Sequence, residues 1–158
     1  MRFRVMDLAG QAVYESTHQY FLQRRAVYLL VWRAYPVQDG RLNVLTDRIR
    51  HWLEALQMRI PGAQLMLVVT HIDAVEAAAL DEQCRRVKEA VQLCLNSIRG
   101  WSSDESALRV EVFQGGESQR VNCLLGEGVA RLRASVVNFA VSMPWYREAL
   151  PRTWVLLR

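Results

Sequence analysis

Asp7, Gly10 and Gln11 stand in the run "DLAGQ" near the start of a 158-residue chain, directly after the alternating stretch "RFRVM". These three types at this spacing suit a triphosphate. An aspartate at a strand end can hold Mg2+ directly or through water, and a glycine lets a backbone N–H come close to a γ-phosphate. A glutamine next to it can orient an attacking water. The same five residues also fit an ordinary turn, so the pattern needs support from elsewhere in the chain.

A second group supplies it. "THID", Thr70 to Asp73, follows an apolar run. A carboxylate in that position can accept two hydrogen bonds from the N1–H and N2–H2 edge of guanine, and it rejects adenine, whose edge would leave the buried acceptor unpaired. The bland alternative is that Asp73 caps the helix that follows. His71 and His18 read more readily as loop histidines than as proton carriers. A hydrolase built on Ser16, His18 and Asp7 fails on pattern, because the chain has no Gly-x-Ser-x-Gly elbow and the three residues are crowded in sequence.

The elements that must position these residues are legible as periodicities. Residues 2–7 alternate as a strand does before a functional loop, and "STHQYFLQRR" offers Ser16 or Thr17 as the cap of a short helix. "AVYLLVWR", residues 26–33, is continuously apolar and predicts a buried strand. Leu42, Leu45, Ile49, Trp52 or Leu53, and Leu56 recur at three and four, which predicts a helix over 42–58. A second buried strand over 65–70 leads to a long helix near 76–99. The segment 107–123 predicts one or two strands around a Gly-Gly turn. Val129, Leu132, Val136 and Ala140 then mark a last helix.

Strand and helix alternate, the pattern of an α/β fold with a mostly parallel sheet and helices on both faces. In such sheets ligands bind beyond the carboxyl ends of the strands. Asp7 and Gly10, Thr70 to Asp73, and Asn122 with Cys123 all follow strands, so three loops are expected at one edge.

Composition bounds the rest. One domain fits this length, and 51% hydrophobic residues argue against disorder. The apolar runs are far shorter than the roughly 20 residues a membrane-crossing helix needs. The N-terminus breaks into charge before a signal-like region can form, so a cytoplasmic location is expected. Cys84, Cys94 and Cys123 lack metal-site spacing and are expected in the core. The net charge is +4, but nineteen of the twenty basic residues are scattered arginines, which gives no basic patch and no expectation of nucleic-acid binding. The arginine-rich faces of 47–59 and 85–99 read as solvated helix surfaces.

Together, "DLAGQAVYESTHQYFLQRRAVYLLVW" and "LVVTHID" resemble the Roc domain, the Ras-of-complex-proteins GTPase module of Roco proteins, over residues 2–141. "RVNCLLGEGVARLR" is similar to its last guanine loop and helix. "PWYREALPRTWVLLR" is similar to the opening of COR, the dimerising region that follows Roc. The resemblance divides the chain into a partial Roc domain, 1–141, and a linker with the start of COR, 142–158. It implies GTP hydrolysis to GDP with Mg2+ in the intact domain. Asp7 would be the magnesium-linked residue, Gly10 the γ-phosphate sensor and Gln11 the water-positioning residue. Ser16 to Arg25 would be the switch segment. Thr70, His71 and Asp73 would frame guanine, and Asn122 and Cys123 would touch its far side through backbone groups. The partners it implies are guanine nucleotide, a second copy through Roc–COR, and other signalling proteins.

One part is missing. No Gly-x-x-x-x-Gly-Lys-Ser/Thr loop occurs, and the sole lysine, Lys88, lies inside the long predicted helix. In the family that loop, the first helix and the switch threonine precede the Asp-x-x-Gly motif. The strand that leads into the loop lies between the one ending at Asp7 and the one starting at Ala26. The sequence therefore predicts an incomplete Ras-like P-loop GTPase fold that is inactive alone, as a truncated piece of a longer domain. The alternative is a non-catalytic scaffold for protein–protein interaction.

Overall fold

The structure is a computed structural model and describes residues 3–8, 21–36, 41–100 and 110–148. Strand β1, Val27–Arg33, is followed by helix α1, Arg41–Arg59, strand β2, Gln64–Thr70, and helix α2, Ala77–Gly100. Two short strands, β3 (Glu111–Val112) and β4 (Gln119–Arg120), precede helix α3, Val129–Ser142. Each long element lies within two residues of its expected span, because each is set by an uninterrupted apolar period.

β2 is the centre of the sheet. β1 pairs with it in parallel along its whole length, from Val27 opposite Gln64 to Arg33 opposite Thr70. β3 and β4 share its other edge, also in parallel. Both faces of β2 are apolar, as a strand covered on both sides requires. Leu65, Leu67 and Val69 point to α1 and α2, where Ile49, Leu53, Leu56, Val87 and Val91 complete the main core. Met66 points the other way, into a smaller cluster with Phe139 and Met143, flanked by Leu132, Val136 and Phe113. Helices on both faces of a parallel sheet are thus the architecture, as expected.

Three features need comment, and two of them correct an expectation. Residues 3–8 form no strand, and Val5 is 84% exposed. The alternation in "RFRVM" is real, but strands are held by neighbours, and this one has none among the described residues. β1 and residues 3–8 do not close on each other either; the outer edge of β1 carries no strand among the described residues. The Gly-Gly segment, secondly, carries two short strands around its turn as expected, and they pair with β2 and not with each other. Gln114, Gly115 and Gly116 all take positive φ, so the chain loops out between β3 and β4 and then rejoins the same edge of β2. The loop is pinned on α2, where Gln92 Nε2–H donates to Gly115 O and Lys88 pairs with Glu117. Thirdly, Cys84 and Cys94 are buried as expected, but Cys123 is exposed. The helix expected after Ser16 falls largely on residues outside the described ones; residues 21–26 are turn and coil.

Candidate functional site

The carboxyl edge of the sheet is built by register. β2 ends at Thr70. On one side the Ala34 N–H donates to Thr70 O at 2.9 Å, and on the other the Val121 N–H donates to Val69 O at 2.9 Å. The loops after β1, β2 and β4 therefore leave the sheet side by side. Thr70 Oγ1–H donates to Trp32 O (3.3 Å), which ties the first two together, and Trp32 Nε1–H donates to Oγ of Ser118 (3.2 Å), the residue before β4.

His71 turns the chain. Its backbone is left-handed, with φ 57° and ψ 38°, a conformation that costs a β-carbon-bearing residue about 1–2 kcal/mol. Its Nδ1 lies 3.1 Å from Thr70 Oγ1. The reversal leads into a short 3-10 turn, Ile72–Ala74, closed by the Ala74 N–H donating to His71 O. Asp73 is exposed in that turn. Its carboxylate has no hydrogen bond or ion pair among the described residues. The capping alternative is removed by geometry: the first bond of α2 runs from the Leu80 N–H to Glu76 O, which makes Glu76, and not Asp73, the capping residue.

Asn122 is only 2% exposed. Its N–H donates to Glu127 O at 2.9 Å, and its Oδ1 accepts the N–H groups of Leu124 (3.0 Å) and Leu125 (3.2 Å). The side chain is thus spent on shaping the loop, and Cys123 beside it is exposed. Gly128 closes the loop at φ 77°, where a β-carbon would sit 2.0 Å from Arg120 O. The resemblance assigns Asn122 a backbone contact at the far side of the base and gives Gly128 no role. The "NCLLGEG" spacing, an Asx-turn former followed by two glycines, was the available signal.

No local pattern singles out Gln83 either. It is buried on α2, its Oε1 accepting the Tyr35 N–H at 3.2 Å and its Nε2–H donating to Tyr35 O at 2.7 Å. This bidentate bond fixes the start of the loop after β1. Beside the third loop, Arg120 pairs with Asp81 at 2.7 Å. Burial pushes the Cys84 thiol up, so it stays protonated and inert.

The structure therefore brings together Thr70, His71 and Asp73 with Asn122 and Cys123. Asp7 is exposed at the end of residues 3–8, and Gly10 and Gln11 lie outside the described residues.

Comparison with known proteins bears on what such an edge belongs to. Residues 1–73 match the family model described as "Ras of Complex, Roc, domain of DAPkinase". The chain is 28% identical over 153 residues, 97% of its length, to the probable serine/threonine-protein kinase pats1 of Dictyostelium discoideum. It is 37% identical over 73 residues, 46% of its length, to the leucine-rich repeat serine/threonine-protein kinase 1 of Caenorhabditis elegans. It is also 26% identical over 151 residues, 96% of its length, to the cyclic GMP-binding protein C of Dictyostelium discoideum. The matched regions are 4%, 3% and 5% of those proteins. Residues 1–73 thus carry the match to the Roc model, and the mixed α/β fold with its mostly parallel sheet is consistent with a Ras-like, GTPase-type module.

Proposed function

We propose that this chain is the base-recognising part of a guanine-nucleotide module, needing a phosphate-holding loop to bind GTP or GDP tightly. One observation carries the reading. The β2–β4 register sets the 70–73 turn beside the 122–127 loop, and the Asp73 carboxylate there is exposed and not used as a helix cap. Asp73 would accept the guanine N1–H and N2–H2, Thr70 and His71 would hold the turn that aims it, and the Cys123 backbone would meet the far side of the base. Asn122 would act by holding that loop. Asp7 would hold Mg2+, directly or through water, Gly10 would approach the γ-phosphate and Gln11 would orient water. Mg2+ would supply charge neutralisation between the phosphate oxygens.

The sheet supports the need for a further strand. β1 is buried on its α1 and α2 side at Trp32, yet Leu29 and Val31 on the opposite face are 42% and 57% exposed. A parallel strand flanked on one edge and covered on one face is unusual. A strand that enters a phosphate loop would fill that edge, and its helix would lie over Leu29 beside α3. We further assign the chain a cytoplasmic setting, with residues 142–158 as a linker into a COR-type region. Dimerisation and contact with other signalling proteins would run through that region. The scaffold reading is second, and it rests on the lack of the Gly-x-x-x-x-Gly-Lys pattern.

The test is to place a strand, phosphate loop and helix ahead of residue 1 and titrate with a fluorescent guanine nucleotide in Mg2+. Guanine-selective binding should appear, and Asp73→Asn should weaken it more than Gln11→Ala does. An extended protein that still ignores nucleotide would give first place to the scaffold.

A further inference from the structure

The chain does not simply leave the domain at the end of α3. The Met143 N–H donates to Ala140 O, the Tyr146 N–H to Met143 O and the Glu148 N–H to Trp145 O. These successive turns bend residues 143–148 back toward the start of β1. Met143 is buried there, and Trp145 and Tyr146 pack against the same cluster as Val27, the first residue of β1. Glu148 Oε2 then reaches Arg25 Nη2 at 2.7 Å.

The segment it reaches is held from the other face of the sheet as well. Tyr28 packs against the main core, and its hydroxyl donates to Gln23 O at 2.7 Å and accepts the Gln23 N–H at 2.8 Å. Residues 23–27 are thus strapped between Tyr28 on one side and the 143–148 turns on the other. Apolar packing holds Met143, Trp145 and Tyr146, but it does not call for the ion pair. Arg25 and Glu148 are 45% and 49% exposed, and a chain merely exiting a domain is free to continue into solvent.

We infer that residues 143–148 form a clasp that couples the segment entering β1 to the chain's exit from the domain, with the Arg25–Glu148 pair as its latch. Order in either segment then depends on the other, and linkage makes the dependence reciprocal. If residues 16–25 respond to nucleotide, which rests on the function proposed above, the clasp passes that response to whatever follows Glu148. The coupling itself needs no nucleotide, so its test stands apart from that reading.

The experiment is amide hydrogen exchange on the whole chain and on three variants, Arg25→Glu, Glu148→Arg and the double swap. Half-exposed ion pairs are worth little, so all three should fold. Arg25→Glu should speed exchange at 143–148, and Glu148→Arg should speed it at 22–26. Each effect should be about 1.5- to 5-fold, the range that follows from an exposed pair. The swap should restore both segments, while the amides of β2 stay unchanged throughout. High salt should shrink the difference between the native chain and the single variants. Changes confined to the mutated segment, or a swap that restores neither, would overturn the clasp.

Discussion

Gly128→Ala should cost far more than Gly126→Ala, although the two glycines lie two residues apart with φ of 77° and 73°. Left-handed backbone costs alanine about 1–2 kcal/mol. The loss of freedom in the unfolded chain offsets about 0.4–1 of that. At Gly126 nothing lies within 4 Å of the added β-carbon, so the net cost should be about 0.5–1 kcal/mol. At Gly128 the β-carbon meets Arg120 O at 2.0 Å and Arg120 C at 3.1 Å. Both are backbone atoms at the end of β4, so no side-chain rotation relieves the clash. The loop must move away, which strains the Val121 N–H bond to Val69 O and the Asn122 N–H bond to Glu127 O. At about 0.5–1.5 kcal/mol for each bond, the total reaches about 2–4 kcal/mol. Urea unfolding of the two variants and the native chain measures the difference. Equal midpoints for the two alanine variants would refute the close approach of Gly128 to β4, and with it the geometry given for the third loop.

Three further outcomes follow from the same coordinates. A maleimide should label one thiol per native chain, Cys123, and reach the buried Cys84 and Cys94 only in denaturant; two or three rapid labels would contradict the packing of α2. Leu53→Ala, fully buried in the main core, should cost about 2–5 kcal/mol in urea unfolding, whereas Leu93→Ala, 68% exposed, should stay within about 0.5; similar costs would mean that α2 is rotated. Burial raises the Tyr28 hydroxyl above its ordinary value. Its contribution to stability is therefore complete below a pH of about 10 and is lost as pH rises through the higher folded value. Tyr28→Phe should remove that alkaline slope, and an unchanged slope would assign it to another group.

The long elements could be read from the chain because each repeats one local signal: a run of branched apolar residues for β1 and β2, a three-and-four stripe for the helices. The Thr70–Asp73 turn was legible for a related reason, since a polar tetrapeptide directly after a buried strand has few places to go. Residues 2–7 show the limit. Their alternation is that of a strand, but pairing is a non-local property, and no neighbour holds them among the described residues. The two strands around the Gly-Gly turn were legible but their pairing was not, for glycines at positive φ serve a hairpin and a bulged-out edge equally well. Only the docking of Gln92 and Lys88 from α2 decides between them. The resemblance gives Asn122 a backbone contact only; the burial of its side chain was not legible, because it depends on loop closure by Gly128. The clasp joins residues far apart in sequence, and nothing local announces it.

The central proposal is that the base-recognising loops are assembled here without a Gly-x-x-x-x-Gly-Lys-Ser/Thr loop to cradle phosphate. Phosphate contacts carry much of the affinity and most of the transition-state stabilisation in such sites. Titrating the purified chain with fluorescent GDP and GTP in Mg2+ addresses this most directly. The account predicts no submicromolar binding and no turnover; submicromolar affinity or measurable hydrolysis by the chain alone would contradict it.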